Sequence, residues 1–366
     1  MYDIWPYCRG IRRRDDDRSM KWTQLDVGTL RHLMTSLPHL SSLHLFKLSV
    51  GLTVDPNFGT LPSAPPAALM TLPKHLDCLE LDTILFDRIE QRFPEILQLL
   101  DIRELRLKYI KTSFNLQTPT PLSNLQSPDT LSLDFTMIHV SCVRFLLSCL
   151  SFDKVLTFRL EWSATDADWT PDLGPIVQKM SRSLKHFSLY VPCNKTGVYD
   201  MNYDWETIND LASCVHLESV TVTIPISTPA GFESEWTWSS VSVLFNNVPP
   251  TVARIQIIAE TRESAGISMI ELRGIGLPRK PDDFRHDSLY LLPMDLTFRR
   301  FLPSVSKVVI VWIVAERLSM REWQLVVRDL EFNFNSLVRA GVLRIIYQET
   351  SNCNSRDYQY PPVSAM

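Results

Sequence analysis

The sequence predicts an α/β fold: an open solenoid of repeated β-loop-α units, with a parallel β-sheet on its concave face and helices on its convex face. Three observations support this prediction. A short apolar phrase recurs along most of the 366 residues, apolar residues recur at helical spacing between its copies, and a polar residue stands inside nearly every copy. Internal repetition of this kind is typical of solenoids and other repeat folds.

The recurring phrase is apolar-x-x-apolar-x-apolar, where x is any residue. Its eight full copies end in the pairs Leu43/Leu45, Leu79/Leu81, Leu105/Leu107, Phe158/Leu160, Phe187/Leu189, Val220/Val222, Ile255/Ile257 and Val308/Ile310. Two weaker copies consist of the final pair alone, Leu131/Leu133 and Leu343/Ile345. Most copies are 26 to 36 residues apart, which is room for one strand, one helix and two loops. Each copy is therefore a predicted strand, and the first residues of the pairs from Leu43 to Ile255 should stack in one buried ladder.

Between the predicted strands, apolar residues recur at the spacing of an amphipathic helix. The stripes are Leu30, Leu33 and Leu37; Leu97 and Leu100 behind Pro94; Ile176 and Met180 behind Pro175; and Trp323, Val327, Leu330, Phe334 and Leu337 behind Ser319. Proline suits a first helical turn, and the Ser-x-x-Glu sequence from Ser319 to Glu322 is a capping box. Strands that alternate with helices in this way imply a parallel sheet.

The residue between the two paired apolar positions decides between an open solenoid and a closed α/β barrel. Strand side chains alternate between faces, so this residue should point away from the core. It is polar in nine of ten copies, with Val309 as the exception, whereas a barrel sheet buried on both faces usually has nearly continuous apolar runs. The predicted protein-binding row on the concave face is His44, Glu80, Arg106, Ser132, Arg159, Ser188, Thr221, Gln256 and Arg344.

The sequence Leu37-Pro38-His39-Leu40-x-x-Leu43-x-Leu45, with irregular repeats after it, resembles the leucine-rich repeats of fungal, basidiomycete-type F-box proteins over roughly residues 23–348. The resemblance implies a ribonuclease-inhibitor-like horseshoe that captures the substrate of a cullin ubiquitin ligase, while an F-box docks a Skp-type adaptor. The repeats here lack the consensus asparagine after the strand. About 22 residues precede the first repeat helix, too few for a three-helix F-box, so adaptor binding is not expected of this chain.

Composition and charge argue against several other classes. With 45% hydrophobic and 21% charged residues the chain has a globular composition, and a net charge of -4 gives no bulk attraction for nucleic acid or an anionic membrane. No secretion signal or membrane-spanning stretch is recognisable. Seven scattered cysteines indicate reduced thiols in an intracellular protein, cytoplasmic or nuclear. No catalytic motif is found, and no cofactor is expected.

Two groups of potential metal ligands lack a full donor set. Cys142 and Cys149 lie seven residues apart on one predicted helical face, where two further partners would be needed. Asp166, Asp168 and Asp172 crowd one loop without the glycine and bidentate acid of a calcium loop. Buried thiols and a solvated loop are the expected roles, and no metal site is predicted.

Aromatic residues concentrate in the middle repeats and form a predicted aromatic loop patch: Trp162, Trp169, Tyr199, Tyr203, Trp205, Trp236 and Trp238. Loops that follow parallel strands emerge on the same edge, so these rings could gather into a second protein-binding surface. Acidic neighbours such as Asp168 and Glu235 would suit a basic segment of a partner. The alternative is that each ring packs beneath its own loop.

The predicted organisation is a flexible N-terminal segment at 1–22, an irregular solenoid of about ten repeats at 23–348, and a disordered tail at 349–366. A surface loop is expected at 55–73. An insertion near 260–300 holds a possible eleventh strand. The predicted function is a non-catalytic protein-protein interaction module. The alternatives are an enzyme on a closed α/β barrel scaffold and a decayed paralogue that lacks the F-box.

Overall fold

The computed structural model describes residues 23–51, 73–86, 88–112, 127–134, 145–146, 148–161, 174–190, 211–225, 241–242, 244–260, 292–314 and 319–349. The chain falls into two compact units, Met1–Val155 and Leu156–Met366. Both have an α/β architecture built on parallel strands. The predicted N-terminal segment, the loop up to residue 72, nearly all of the C-terminal tail and the possible eleventh strand lie outside the described residues.

The described part of the first unit contains six strands. They are β1 (Thr23–Leu25), β2 (Ser42–Val50), β3 (Lys74–Phe86), β4 (Leu100–Lys108), β5 (Lys111–Thr112) and β6 (Thr130–Asp134). All pairings are parallel in the order β1-β2-β3-β4-β6, and β5 pairs with the end of β3. The four predicted strands of this unit are confirmed. β1 and β5 were not predicted, because two or three residues are too few to show an alternating pattern.

The buried ladder of the first unit follows the predicted register. Leu43, Leu79, Leu105 and Leu131 are successive partners across β2, β3, β4 and β6, and none is more than 2% exposed. Each leucine is covered by the next repeat, so the core is shared between neighbouring repeats.

Two helices, α1 (Val27–Ser36) and α2 (Ile89–Leu99), lie between these strands. The predicted start of α2 at Pro94 is wrong: the helix begins five residues earlier, and Leu100 opens β4 instead of continuing the helix. Ile89, Phe93 and Ile96 are all fully buried at helical spacing. Their burial offsets the backbone hydrogen bond that Pro94 gives up inside the helix.

A left-handed residue stands at equivalent register positions of three strands of the first unit, inside β2 and β3 and directly after β4. Lys47 has φ 53°, Thr83 has φ 57° and Tyr109 has φ 50°. Each left-handed residue shifts the inward-outward alternation of side chains by one position. The residue that follows it therefore points into the core, and these residues, Leu48, Ile84 and Ile110, are all buried. In the leucine-rich-repeat pattern that the sequence resembles, a consensus asparagine stands at the position of Leu48, Ile84 and Ile110. In this chain an aliphatic side chain in the core occupies that position.

The described part of the second unit contains six strands and four helices. In chain order these are β7 (Thr157–Glu161), α3 (Gly174–Met180), β8 (His186–Tyr190), β9 (Ser219–Pro225), β10 (Arg254–Glu260), α4 (Leu292–Arg299), β11 (Lys307–Val314), α5 (Met320–Asn333), α6 (Asn335–Arg339) and β12 (Leu343–Glu349). Each strand pairs in parallel with the next, so all six predicted strands are confirmed. None of the described helices is both long and apolar enough to cross a membrane.

The second unit has its own buried ladder. Phe158, Phe187, Val220, Ile255 and Val308 are successive partners from β7 to β11, and none is more than 1% exposed. The predicted ladder is thus found within each unit. Aromatic rings fill the first two rungs here, where leucines fill the rungs of the first unit.

A repeated backbone contact joins successive repeats where each strand begins. The carbonyl of Lys185 accepts hydrogen bonds from the N–H groups of Glu218 and Ser219 at 2.8 and 3.0 Å, and the carbonyl of Glu218 accepts from Ala253 and Arg254 at 3.1 Å each. One carbonyl therefore fixes the start of the next strand, which satisfies these polar groups without side chains.

The last predicted helix is broken in two. It was expected to run without interruption from Ser319 through Leu337, but Phe334 leaves helical geometry and separates α5 from α6. The ring of Phe334 is buried against Phe298, with 5.5 Å between ring centroids. At the break, Asp295 of α4 accepts hydrogen bonds from the backbone N–H and the hydroxyl of Ser336. Tertiary contacts thus supply the cap that lets a second helix begin.

Candidate functional site

The predicted row lies on the outward face of the strands, opposite the buried ladder. In the first unit His44, Glu80, Arg106 and Ser132 are successive register partners. In the second unit the partners are Arg159, Ser188, Thr221, Gln256, Val309 and Arg344. All are half-buried or exposed, while the residues on either side of each are buried, except beside Arg344, where Leu343 and Ile345 are half-buried. The row therefore lies on the face opposite the ladder, while its position on a concave surface and its role in binding stay predictions.

Glu80 is the centre of a charged network in the first unit. Its Oε1 atom accepts a hydrogen bond from Lys108 Nζ at 2.9 Å and lies 3.9 Å from His44 Nε2. Its Oε2 atom lies 3.5 Å from Arg106 NH1, and Arg106 Nε donates to Glu104 at 2.9 Å. Three neighbouring strands therefore contribute charges to one patch.

The network keeps Glu80 and Lys108 ionised. Burial alone would raise the pKa of Glu80, but the hydrogen bond from Lys108 and the charges of Lys108, His44 and Arg106 outweigh it and lower that pKa. Burial alone would lower the pKa of Lys108, but the hydrogen bond to Glu80 and the negative charge of Glu80 outweigh this effect, so the pKa of Lys108 is raised. A carboxylate held ionised beside two cations is suited to recognising charge and polarity.

Exposed aromatic surface borders this network. Phe46 lies two residues beyond His44 on β2, and its side chain is 44% exposed. The ring centroids of His44 and Phe46 are 6.0 Å apart, and Lys47 Nζ lies 5.2 Å from the Phe46 centroid. Phe46 is also the register partner of Asp82. An accessible ring next to charged groups is the composition typical of a protein-binding hot spot.

The sequence prediction missed Phe46, Asp82 and Lys108. The three are register partners on β2, β3 and β4, two residues after the predicted row. Because side chains alternate with a period of two, the same argument carried one step further along each strand would have found them. We call His44, Phe46, Glu80, Asp82, Arg106 and Lys108 the charged patch.

Part of the charged patch has the donor types of a metal site. One ligand atom each from His44, Glu80 and Asp82 lie within 4.8 Å of one another. However, Glu80 already accepts from Lys108 and faces Arg106, so a cation would have to displace one positive charge and lie beside another. The charge balance favours an ion-pair network at this place.

The outward face of the second unit differs in chemistry. Beyond the predicted row, Ile258, Val311 and Ile346 are register partners on β10, β11 and β12. Val309 and Ile313 lie on the same face of β11 on either side of Val311. Aliphatic residues thus form a continuous area on a face that the sequence pattern predicted to be polar. In the sequence, only Val309 departed from that pattern.

The aromatic loop patch is not part of the described chain. Its seven members all lie outside the described residues: Trp162, Trp169, Tyr199, Tyr203, Trp205, Trp236 and Trp238. The acidic loop at 166–172 and Cys142 lie outside them as well. The basic partner inferred from that patch stays a prediction.

Cys78, Cys149 and Cys214 are thiols. Burial raises the pKa of Cys149 to about 11, so this thiol is protonated near neutral pH and is a poor nucleophile or metal ligand. That agrees with the small buried side chain expected at this position.

Comparisons of the chain with protein-family models, with curated proteins and with solved structures find no match.

Proposed function

We propose that this chain is a non-catalytic protein-protein interaction module built from leucine-rich repeats, resembling the substrate-recognition repeats of an F-box subunit of a cullin ubiquitin ligase. One observation carries the proposal. In each unit, outward residues of neighbouring strands stand in register and reach solvent, while the residues on either side of them form the buried ladder. The outward positions are not needed for the core, so their side chains are available to a partner.

The charged patch supports binding more than proton transfer. A general acid or base works best with a pKa near the working pH, whereas the pKa of Glu80 is lowered from its usual value. Phe46 provides accessible apolar area, and Arg106 and Lys108 provide donors held in place by Glu80 and Glu104. These are the properties of a preorganised contact surface.

An intracellular location is part of this proposal. The thiol state of the described cysteines supports it, because the cytosol and nucleus keep thiols reduced. Such a location would give the repeats access to a ubiquitin-ligase substrate.

Co-purification from cell lysate with quantitative mass spectrometry tests the proposed function. The tagged full chain is compared with Phe46→Ala/Arg106→Ala, which alters the outward face, and with Phe332→Ala/Arg328→Ala, which alters exposed residues of α5. We expect specific proteins whose recovery falls about tenfold with the first variant, equivalent to about 1.4 kcal/mol of binding, and is unchanged with the second. Recovery of no specific protein would favour the decayed paralogue. Equal loss with both variants would place the binding surface elsewhere.

A further inference from the structure

The outward face of the last three strands changes in character along the strand direction. Its first row holds Arg254 and Lys307, which are register partners. Its next row holds Gln256, Val309 and Arg344. Charge therefore lies at the amino ends of these strands.

Aliphatic side chains follow on the same face toward the carboxyl ends. We call Ile258, Val309, Val311, Ile313 and Ile346 the aliphatic patch. Val311, at its centre, is only 7% exposed, and the other four are half-buried. β-Branched side chains in neighbouring rows cover one another and leave a smooth apolar surface.

Two of the three cations beside the aliphatic patch have no acidic partner among the described residues. They are Lys307, which is exposed, and Arg344, which is half-buried. Arg254 NH2 lies 3.7 Å from Glu218, which also pairs with Lys185 at 3.1 Å. In the charged patch of the first unit, by contrast, Arg106 and Lys108 each have a carboxylate within hydrogen-bond distance.

We infer that the aliphatic patch, together with Lys307 and Arg344, binds an acidic-aliphatic peptide segment of a partner protein. The inference rests on the proposed function and specifies the partner's chemistry. Aliphatic side chains of the segment would be buried against the patch, which removes apolar area of both partners from water. Its carboxylates would pair with the two cations, and a basic segment would be repelled by them.

A peptide selection on the full chain tests this inference. The probe is a phage-displayed library of random dodecapeptides, selected on the immobilised protein, and enriched peptides are synthesised for fluorescence anisotropy. We expect enriched sequences that combine carboxylates with leucine, isoleucine or valine. Their affinity should fall as salt rises, because part of the attraction is between charges.

Three variants separate the contributions. Lys307→Glu/Arg344→Glu reverses the two cations and should weaken binding about tenfold or more. Val309→Thr/Ile346→Thr keeps β-branched shape and removes apolar area, and it should weaken binding several-fold. The matched control Arg321→Glu/Arg328→Glu makes the same charge change on exposed positions of α5 and should leave affinity unchanged. Circular dichroism verifies that every variant is folded.

Several results would overturn the inference. One is enrichment of basic or uncharged peptides, or of no sequence class. Another is affinity that is unchanged by reversing Lys307 and Arg344. A concentration-dependent dimer that Val309→Thr/Ile346→Thr abolishes would assign the patch to a second copy of this chain. None of these results would change the co-purification experiment, which depends on Phe46 and Arg106. Failure of this inference is therefore distinguishable from failure of the proposed function.

Discussion

At the scale of single residues, neighbouring positions of each strand have different roles: one side chain stabilises the core, and the next forms the outward surface. Leu105 is buried between register partners and stabilises the fold. Arg106, the next residue, is held outward by Glu104 and Glu80 and contributes mainly to the surface. Substitutions at the two positions should therefore have different effects.

Leu105→Ala should lower the free energy of unfolding by about 2–5 kcal/mol, because the side chain is fully buried and a cavity remains. Leu37→Ala is the control, since Leu37 is already exposed where α1 ends, and it should cost well under about 1 kcal/mol. Urea titration measures both. Equal losses would mean that the ladder register is wrong.

The Glu80 network should make stability depend on pH with a definite sign. Because the pKa of Glu80 is lowered in the folded protein, its contribution is present above the usual glutamate pKa and is lost as pH falls through the folded value. Glu80→Gln should cost about 1 kcal/mol or less at neutral pH, since the group is partly exposed and screened. The difference from the wild type should shrink toward acid pH. Chemical denaturation from about pH 7 to about pH 3 checks this; a constant difference would argue against the ion pairs.

At the scale of elements, the left-handed residues inside β2 and β3 and directly after β4 shift the inward-outward alternation by one residue, a shift that the sequence did not predict. Lysine, threonine and tyrosine are poor left-handed formers, and a β-branched threonine is especially strained there. The buried Leu48, Ile84 and Ile110 that follow them offset that strain.

Lys47→Gly should therefore be neutral or stabilising by up to about 1 kcal/mol, because glycine adopts positive φ without steric cost. Ser49→Gly in the same strand is the matched control at a residue that does not have positive φ, and it should destabilise by about 0.5–1 kcal/mol. Thermal unfolding followed by circular dichroism compares them. A clear loss with Lys47→Gly would contradict the strain.

Asp295→Ala should destabilise the second unit by about 0.5–2 kcal/mol, as loss of a helix N-cap does. Its carboxylate accepts from the Ser336 N–H at 2.9 Å and from the Ser336 hydroxyl at 2.6 Å, and α6 has no side-chain cap of its own. Arg299→Ala removes the cation paired with Asp295 and its hydrogen bond to the Ser336 hydroxyl but leaves the bond from Asp295 to the Ser336 N–H, so it should cost less. Faster amide exchange in α6 of Asp295→Ala alone is the expected signature.

Strands were more predictable than helix limits, for a physical reason. The apolar phrase records burial on one strand face, and all ten copies became strands. The early start of α2 and the break at Phe334 depend on tertiary contacts that no local pattern shows. The outward row followed from alternation. The Glu80 network did not, because it depends on how far Lys108 and Arg106 reach across strands.

At the scale of the whole molecule, the two units have outward faces of different chemistry on the same kind of sheet. Ion pairs and an exposed ring characterise the first. Aliphatic rows beside Lys307 and Arg344, which pair with no acidic group in the described part of the chain, characterise the end of the second. Repeats that share a core design but differ at outward positions can recognise different parts of one partner. The account depends on outward and inward residues alternating as described in both units.

Cysteine accessibility tests that alternation most directly. Single cysteines are placed at 105, 106 and 107 on β4 and at 255, 256 and 257 on β10, and labelling by a thiol reagent is timed in native buffer against the background of the native cysteines. We predict rapid labelling at 106 and 256, with labelling at the four flanking positions only after denaturation, because those positions are buried. Rapid labelling at 105 and 107, or protection of all six positions, would contradict the outward face and with it the proposed binding surface.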